Sequence, residues 1–358
     1  MAYDVDEQVL LDTINNSNIP DSAKSVISSL LAPTDPLDPN FGTDPTVDTL
    51  SGGGAVDPTA DLAEITGTGV YDANGTPVVI VNTDEDVQIT YTVGSSTFII
   101  LAGQGDDLIV LQDGVPLSDG TSTTVPGGTV ELGDGNDSVV GSSGNDSISG
   151  GTGNDSISGG SGRDQITVGD GNDSVDGGAN FDQAFLQAGR TSYTITVENG
   201  GLVIVATDGS QTNTLTGVEF VRFDDNSIVT AMANQDQGVV ARLYEAILNR
   251  EADETGLQGW VSGLQDGSLE LATIAAGFVN SQEFQNLTSG LTNSAFIDLM
   301  YQQTFGREAD TAGKAGWLDL LDSGAITREG IAIGFAASQE AIESFDYIQI
   351  VGSNVDFS

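Results

Sequence analysis

A glycine and an aspartate recur at one fixed spacing through the middle of this sequence. The stretch from Leu132 to Phe185 divides into blocks of nine residues, LGDGNDSVV, GSSGNDSIS, GGTGNDSIS, GGSGRDQIT, VGDGNDSVD and GGANFDQAF. In the first five blocks an apolar residue follows two positions after the aspartate, and a flexible or disordered linker, the alternative interpretation, has no reason to place it there. The repeat predicts a tight turn followed by a short strand in each block, with these turn residues: Gly135 and Asp137, Gly144 and Asp146, Gly153 and Asp155, Gly162 and Asp164, and Gly171 and Asp173.

Two blocks together predict one coil of eighteen residues. The apolar residues of alternate blocks then stack in two facing sheets, Val139, Ile157 and Val175 in one and Ile148 and Ile166 in the other. The aspartates sort onto two edges, Asp137, Asp155 and Asp173 on one and Asp146, Asp164 and Asp182 on the other. Because stacked carboxylates repel one another, we expect the coils to be unstable without a cation.

The blocks resemble the nonapeptide repeat G-G-x-G-x-D-x-U-x, where U is a bulky apolar residue, of the RTX family of secreted calcium-binding proteins. The resemblance implies a parallel β-roll with Ca²⁺ between successive turns, held by aspartate carboxylates and by carbonyls of the glycine turns. Calcium takes six to eight oxygen ligands of this kind. We therefore expect about four calcium ions, between Asp137 and Asp155, Asp146 and Asp164, Asp155 and Asp173, and Asp164 and Asp182.

Two neighbouring blocks vary the pattern. The sixth block has Asn180 where glycine is expected and Ala184 at the apolar position. An earlier block, AGQGDDLIV, has Gly105, Asp107 and Ile109 in place, which adds Asp107 to the candidate metal ligands. An insertion from about Leu111 to Glu131 separates that block from the others.

Composition narrows the chemistry that the chain can perform. Its 53 acidic and 9 basic residues give a net charge of −44, which excludes a broad electrostatic patch for nucleic acid or anionic membrane. Histidine and cysteine are absent, so imidazole triads, thiol catalysis and zinc sites are excluded and oxygen ligands for hard cations remain. No stretch is apolar enough to be a transmembrane segment.

The flanks of the repeats predict further elements. Residues 1–31 hold two short amphipathic helices, a docking element or a packed cap, and residues 32–61 form a Pro/Asp-rich linker. Residues 62–131 are strand-rich and are expected to cap the roll, although a separate β-sandwich is an alternative. Residues 186–231 predict a β flank that caps the other end, with Leu215–Asp225 resembling the closing hairpin of RTX arrays.

The carboxyl-terminal region from 235 to 345 is helical and duplicated. A shift of 57 residues superimposes Arg250 on Arg307 and Trp260 on Trp317 without a gap, giving copies at about 238–290 and 295–345. NREADETGLQGW and GREADTAGKAGW resemble a helical domain of unknown function found near the carboxyl end of RTX and other secreted bacterial proteins. Each arginine and the aspartate three residues on predict an ion pair or helix cap, and each tryptophan is either a core residue or a sugar-stacking surface.

These patterns together predict a multidomain α and β protein, in which a calcium-stacked parallel β-roll with β caps precedes an all-α tandem-repeat bundle. The RTX resemblance implies type I export, and residues 346–358, with Asp356 and Phe357, resemble its uncleaved signal. We expect a secreted, bacterial, non-enzymatic protein of the cell surface or extracellular matrix that adheres to itself, as a homo-oligomer or lattice, or to cell-surface polysaccharide. A polysaccharide-binding or polysaccharide-modifying secreted enzyme or accessory protein is the alternative.

Overall fold

A computed structural model of the protein describes residues 3–4, 46–55, 62–73, 78–81, 83–93, 98–113 and 125–352. The amphipathic helices predicted within 1–31, most of the predicted linker and the last residues of the predicted export signal lie outside these ranges. The described chain forms two compact units. The first reaches Thr196 and resumes over Leu202–Ser227, and the second comprises Val197–Gly201 and the chain from Ile228.

The first unit is built from two sheets whose strands alternate along the chain. In spatial order the first sheet contains β1 (Tyr3–Asp4), β2 (Thr46–Leu50), β4 (Leu62–Ile65), β6 (Val78–Val81), β8 (Ile99–Leu101), β10 (Thr129–Glu131), β12 (Ser147–Ser149), β14 (Gln165–Thr167), β16 (Gln183–Leu186) and β20 (Phe220–Phe223). The second contains β3 (Gly54–Ala55), β5 (Gly69–Asp72), β7 (Val87–Val93), β9 (Leu108–Asp113), β11 (Ser138–Val140), β13 (Ser156–Ser158), β15 (Ser174–Asp176), β19 (Thr212–Thr216), β18 (Gly201–Ala206) and β17 (Tyr193–Glu198). A short 3₁₀ turn, Arg190–Ser192, precedes β17.

The register of the repeat strands is the predicted one. Val139 pairs with Ile157, which pairs with Val175, and Ile148 pairs with Ile166 on the opposite sheet, all in parallel. Each of these central side chains is at most 2% exposed, because a three-residue strand turns its middle residue inward and its neighbours outward. The parallel β-roll predicted from the nonapeptides is therefore confirmed.

The same coils continue on both sides of the nonapeptides. Towards the amino end, β6 pairs in parallel with β8, and β7 pairs in parallel with β9, so strands within 62–131 belong to the two sheets of the roll and not to a separate sandwich. Towards the carboxyl end, β19 continues from β15 and β20 from β16, also in parallel. Tyr91 and Phe98, both buried, stack at 4.3 Å between ring centroids in the amino-terminal coils, so aromatic side chains contribute to the core there.

The second unit is helical, with a small parallel pair of strands. Its strands are β21 (Ile228–Met232) and β22 (Ile348–Ile350). Its helices are α1 (Gln235–Leu243, continued by a π-helical turn over Tyr244–Leu248), α2 (Glu254–Gln265), α3 (Leu271–Val279), α4 (Gln282–Thr288), α5 (Asn293–Phe305), α6 (Thr311–Asp322), α7 (Arg328–Ala336) and α8 (Gln339–Ser344). No helix in the described ranges has the length and apolar character needed to cross a membrane.

Each copy of the duplication contains four helices, of which the fourth is the shortest. The fourth begins because Ser281, and Ser338 in the second copy, accept a hydrogen bond from a main-chain N–H in the first turn of α4 or α8. The third helices of the copies, α3 and α7, pack against each other. Arg242, buried on α1, donates from Nε to the carbonyl of Ala336 at 2.6 Å and so links the first copy to the end of α7.

Candidate metal centre

One edge of the roll carries a column of buried side chains joined by repeated hydrogen bonds, which we call the first ladder. In each link, the main-chain N–H of one residue donates to the side-chain Oδ1 of the residue at the matching position in the next coil. The donor and acceptor pairs are Val87 to Asp107 at 2.9 Å, Asp107 to Asp137 at 2.7 Å, and Asp137 to Asp155, Asp155 to Asp173 and Asp173 to Asn213, each at 2.9 Å. The first ladder therefore contains the aspartates predicted for this edge, and it ends in an amide.

The opposite edge carries an equivalent column, the second ladder. The main-chain N–H of Gly128 donates to Asp146 Oδ1 at 2.7 Å. Asp146 donates to Asp164 and Asp164 to Asp182, both at 2.8 Å, and Asp182 donates to Glu219 Oε2 at 3.0 Å. The second ladder therefore contains the other predicted aspartates and ends in a carboxylate.

The second oxygen of most of these carboxylates has no hydrogen-bond partner. All the ladder aspartates are at most 3% exposed. The buried oxygens without a partner are Oδ2 of Asp107, Asp137, Asp155, Asp164, Asp173 and Asp182. A buried carboxylate oxygen without a donor is costly, so the folded roll presents a row of oxygens suited to a cation.

Burial raises the pKa of the ladder carboxyls because the charged form loses its hydration. Desolvation raises the pKa of Asp155 to about 6, of Asp137 to about 7 and of Asp164 to about 8, although a main-chain N–H opposes the shift in each case. Neighbouring aspartates raise these pKa values further, as Asp182 and Asp146 do for Asp164. A divalent cation between two turns would relieve both the desolvation and the repulsion.

The oxygen atoms available at the ladders are of the type that calcium binds. Within the part of the chain that the structure describes, no three acidic side chains gather closely enough to hold a metal on their own. Two aspartates of successive coils therefore supply only part of a shell of six to eight oxygens, and turn carbonyls must supply the rest. Such a mixed set of carboxylate and carbonyl oxygens is typical of hard cations such as Ca²⁺.

The glycine turns are shaped as the sequence predicts, with one exception. Gly135, Gly153, Gly162 and Gly171 have φ between 119° and 143°, and Gly105 has φ of 106°, a region that favours glycine. Gly144 is not among the residues of positive φ. Asn180, which replaces glycine in the sixth block, has φ of 84°, which asparagine tolerates, so Asp182 keeps its place in the ladder.

The turn that contains Gly144 differs because Ser142 stands where the other blocks have a second glycine of positive φ. The main-chain N–H of Ser142 donates to Asp146 Oδ2 at 2.8 Å, and its hydroxyl reaches the same oxygen at 3.0 Å. Asp146 is therefore the one repeat aspartate whose Oδ2 is satisfied inside its own block. The glycines at the equivalent positions are Gly133, Gly151, Gly160, Gly169 and Gly178.

Sequence reasoning missed the two residues that end the ladders. Asn213 lies 40 residues beyond Asp173, and Glu219 lies 37 residues beyond Asp182, so neither falls on the eighteen-residue period. What the sequence does show is a strand pattern next to each of them. The structure pairs these strands with the repeat strands, Leu215 with Val175 and Phe220 with Gln183.

The duplicated polar residues of the helical unit have structural partners. Asp253 caps α2 by accepting from the Gly256 N–H at 2.8 Å and pairs with Arg250 at 3.3 Å, as predicted for a cap. Asp310 caps α6 in the same way. Trp260 and Trp317 are partly exposed and lie 5.9 Å and 5.5 Å from Phe278 and Phe335 between ring centroids, so each indole covers an aromatic core.

The stacked coils and the two carboxylate ladders define the first unit as a calcium-binding parallel β-roll. The model of the RTX calcium-binding nonapeptide repeat (four copies) matches residues 131–166 and 150–184, and the model of the domain of unknown function DUF4214 matches 229–288 and 275–345. The resemblance to an RTX protein with a duplicated carboxyl-terminal domain is thereby confirmed, and RTX nonapeptide repeats bind Ca²⁺. No curated protein matches the chain.

Proposed function

We propose that this chain is a secreted, non-enzymatic calcium-binding protein of the bacterial cell surface or extracellular matrix, whose roll folds when calcium binds. The observation that carries the proposal is the row of buried Oδ2 atoms without partners on both ladders. Calcium would lie between successive aspartates, Asp137 and Asp155, Asp155 and Asp173, and Asp164 and Asp182, with carbonyls of the glycine turns completing the shell. Asp107 extends the first ladder by one coil. Both carboxylate oxygens of Asp146 already accept hydrogen bonds, so Asp146 has no free oxygen for the predicted site with Asp164.

Metal-coupled folding connects these sites to secretion. In a calcium-poor compartment the ladder aspartates repel one another and the roll is disfavoured, whereas calcium outside the cell supplies folding free energy. An unfolded, highly acidic chain passes through an export channel more readily than a folded one. The predicted type I export follows this logic.

A structural role agrees with the side chains available. Without histidine or cysteine, only carboxylate pairs remain for hydrolysis, and the buried carboxylates of the roll are committed to the ladders. With a net charge of −44 the protein does not bind anionic lipid directly, so we propose that adhesion uses protein contacts, including self-association, or calcium bridging to cell-surface polysaccharide.

A calcium titration of the full chain tests the folding part of this proposal. We expect the β signal in circular dichroism to rise between chelator and millimolar calcium. Asp155→Asn should raise the midpoint concentration by more than about tenfold, because Asp155 is a ligand of two of these sites, and Asp164→Asn should raise it less, because Asp164 is a ligand of one. Asp224→Asn, which removes an exposed carboxylate from the β flank, is the matched control. A spectrum that does not change with calcium contradicts the proposal.

The surface role needs a separate experiment. Tagged protein should coat intact cells in calcium and leave them after a chelator wash, or should form multimers in millimolar calcium. Persistently monomeric protein that binds no envelope material would contradict adhesion. Turnover of a glycan that depends on one carboxylate outside the ladders would instead support the enzymatic alternative.

A further inference from the structure

We propose that Glu219 and Asp182 form a calcium site beyond the nonapeptide repeats, at the carboxyl-terminal end of the second ladder. Glu219 lies outside residues 131–184, the segment that the nonapeptide model matches. The inference rests on the proposed role of the ladder aspartates as calcium ligands. It extends that role to a residue supplied by the β flank.

Asp182 carries the first observation. Its side chain is fully buried, its Oδ1 is occupied by the N–H of Asp164 at 2.8 Å, and its Oδ2 has no partner. Asp182 therefore has one carboxylate oxygen that no protein donor occupies, as Asp155 has. A buried oxygen of this kind needs a donor or a cation.

Glu219 occupies the position that the next aspartate of the ladder would have. The N–H of Asp182 donates to Glu219 Oε2 at 3.0 Å, which repeats the bond from Asp164 to Asp182. The strands on either side are also in register, because Ala184 pairs with Val221 as Ile166 pairs with Ala184. Glutamate has one methylene more than aspartate, and this extra length lets a carboxylate reach the ladder from a turn that has lost the nonapeptide form.

The first ladder supplies an internal comparison. It ends in Asn213, whose Oδ1 accepts from the N–H of Asp173 at 2.9 Å and whose buried Nδ2 has no partner. The hydrogen bond to the preceding coil is thus kept at both ends, while the negative charge is kept only at Glu219. An amide offers one oxygen and no charge, so the first ladder has one calcium site fewer at this end.

Counting bound calcium tests the assignment. Equilibrium dialysis against ⁴⁵Ca, well above the roughly 0.1–1 mM range of extracellular sites, gives the number of ions per chain. Glu219→Gln retains an oxygen acceptor for the Asp182 N–H and should bind about one ion fewer. Asn213→Asp creates the missing carboxylate of the first ladder and should bind about one ion more.

Asp224→Asn, a change of one exposed charge on the same flank, should leave the count unchanged. Circular dichroism in saturating calcium checks that each variant folds. An unchanged count in either Glu219→Gln or Asn213→Asp overturns the assignment, and the gain expected of Asn213→Asp does not depend on Glu219→Gln folding. Absence of calcium from the unmodified chain would instead overturn the proposed function itself.

Discussion

The two oxygens of a ladder aspartate have different tasks. Oδ1 accepts a main-chain N–H of the preceding coil, as Asp155 does from Asp137 at 2.9 Å. Oδ2 has no such donor in any ladder aspartate except Asp146. Without metal, the ladder carboxyl must either remain charged and unpaired or take up a proton.

The raised pKa values predict that acid stabilises the calcium-free roll. Because burial raises the pKa of Asp155 to about 6, of Asp137 to about 7 and of Asp164 to about 8, the folded roll holds more protons than the unfolded chain, whose aspartates have ordinary values. Stability is therefore present at low pH and lost as pH rises through the range of about 6 to 8. The affinity for calcium should instead increase as pH rises, since protons and calcium compete for the same carboxylate oxygens.

We expect chelated protein to gain β signal in circular dichroism when the pH falls from about 8 to about 5, which stays above the isoelectric point of about 4.1. Adding calcium at pH 8 should produce a similar spectrum. In Asp164→Asn the acid-induced gain should be smaller, because one of the groups that takes up a proton is missing. Loss of β signal on acidification of the chelated chain would contradict the ladder account.

At the scale of the element, the turns of the roll are not equivalent. Ser142 satisfies Asp146 Oδ2 with its N–H and its hydroxyl, so this turn is closed without a cation. The hydroxyl also accepts from the Gly144 N–H at 3.1 Å, which fixes the turn from within. The neighbouring turns have glycine at this position, and the Oδ2 atoms of their aspartates have no partner. Under the proposed function, calcium would supply that partner.

Changing Ser142→Gly should make this turn resemble the others. The variant loses the hydroxyl contacts and gains backbone freedom in the unfolded chain, so without calcium the roll should be less stable by about 1 kcal/mol. Asp146 Oδ2 is then left with the main-chain N–H of residue 142 alone, and glycine can turn that N–H away by adopting the positive φ of the equivalent glycines. In calcium this oxygen can then bind metal, so the difference in melting temperature between calcium and chelator should widen. Ser143→Gly removes the same atoms from an exposed neighbour and is the control. An equal widening in both variants would contradict a special role for Ser142.

The fold of the repeats could be predicted because a strict period fixes both the register of the strands and the side chains that point into the core. Val139, Ile157 and Val175 had to stack once two blocks made one coil, and the structure pairs them in that way. The ends of the ladders could not be predicted, because the segment between Asp182 and Glu219 does not follow the eighteen-residue period. The fourth helix of each helical copy was hidden because it is short and depends on a single serine cap at Ser281 or Ser338.

At the scale of the whole molecule, one unit of the chain carries the proposed metal ligands and the other does not. The helical unit has a core of its own, with Tyr244 against Phe278 and Tyr301 against Phe335 in edge-to-face contacts at 4.7 Å and 5.0 Å between ring centroids. Its caps and ion pairs join residues of the same unit, as Arg307 joins Glu340 at 2.6 Å. Its folding should therefore not depend on calcium.

The two tryptophans of the chain both lie in the helical unit, which makes their fluorescence a probe of that unit alone. In chelator we expect the β signal of the roll to fall while the emission of Trp260 and Trp317 keeps its folded wavelength. Heating should then give one cooperative fluorescence transition at a temperature that calcium shifts by only a few degrees. A red shift of the emission on adding chelator alone would show that the units are not independent in stability.

The ladders also have a direction. In every link the accepting side chain belongs to the coil that comes later in the sequence, and the N–H that it accepts belongs to the coil before it, as in the bond from Asp164 to Asp182. For a chain that leaves a channel with its carboxyl end first, each newly released coil meets an acceptor that is already in position. The roll would then fold coil by coil from the turn of Glu219 towards the amino end. A coil that has been added could return to the channel only by breaking its hydrogen bond to the coil that folded before it.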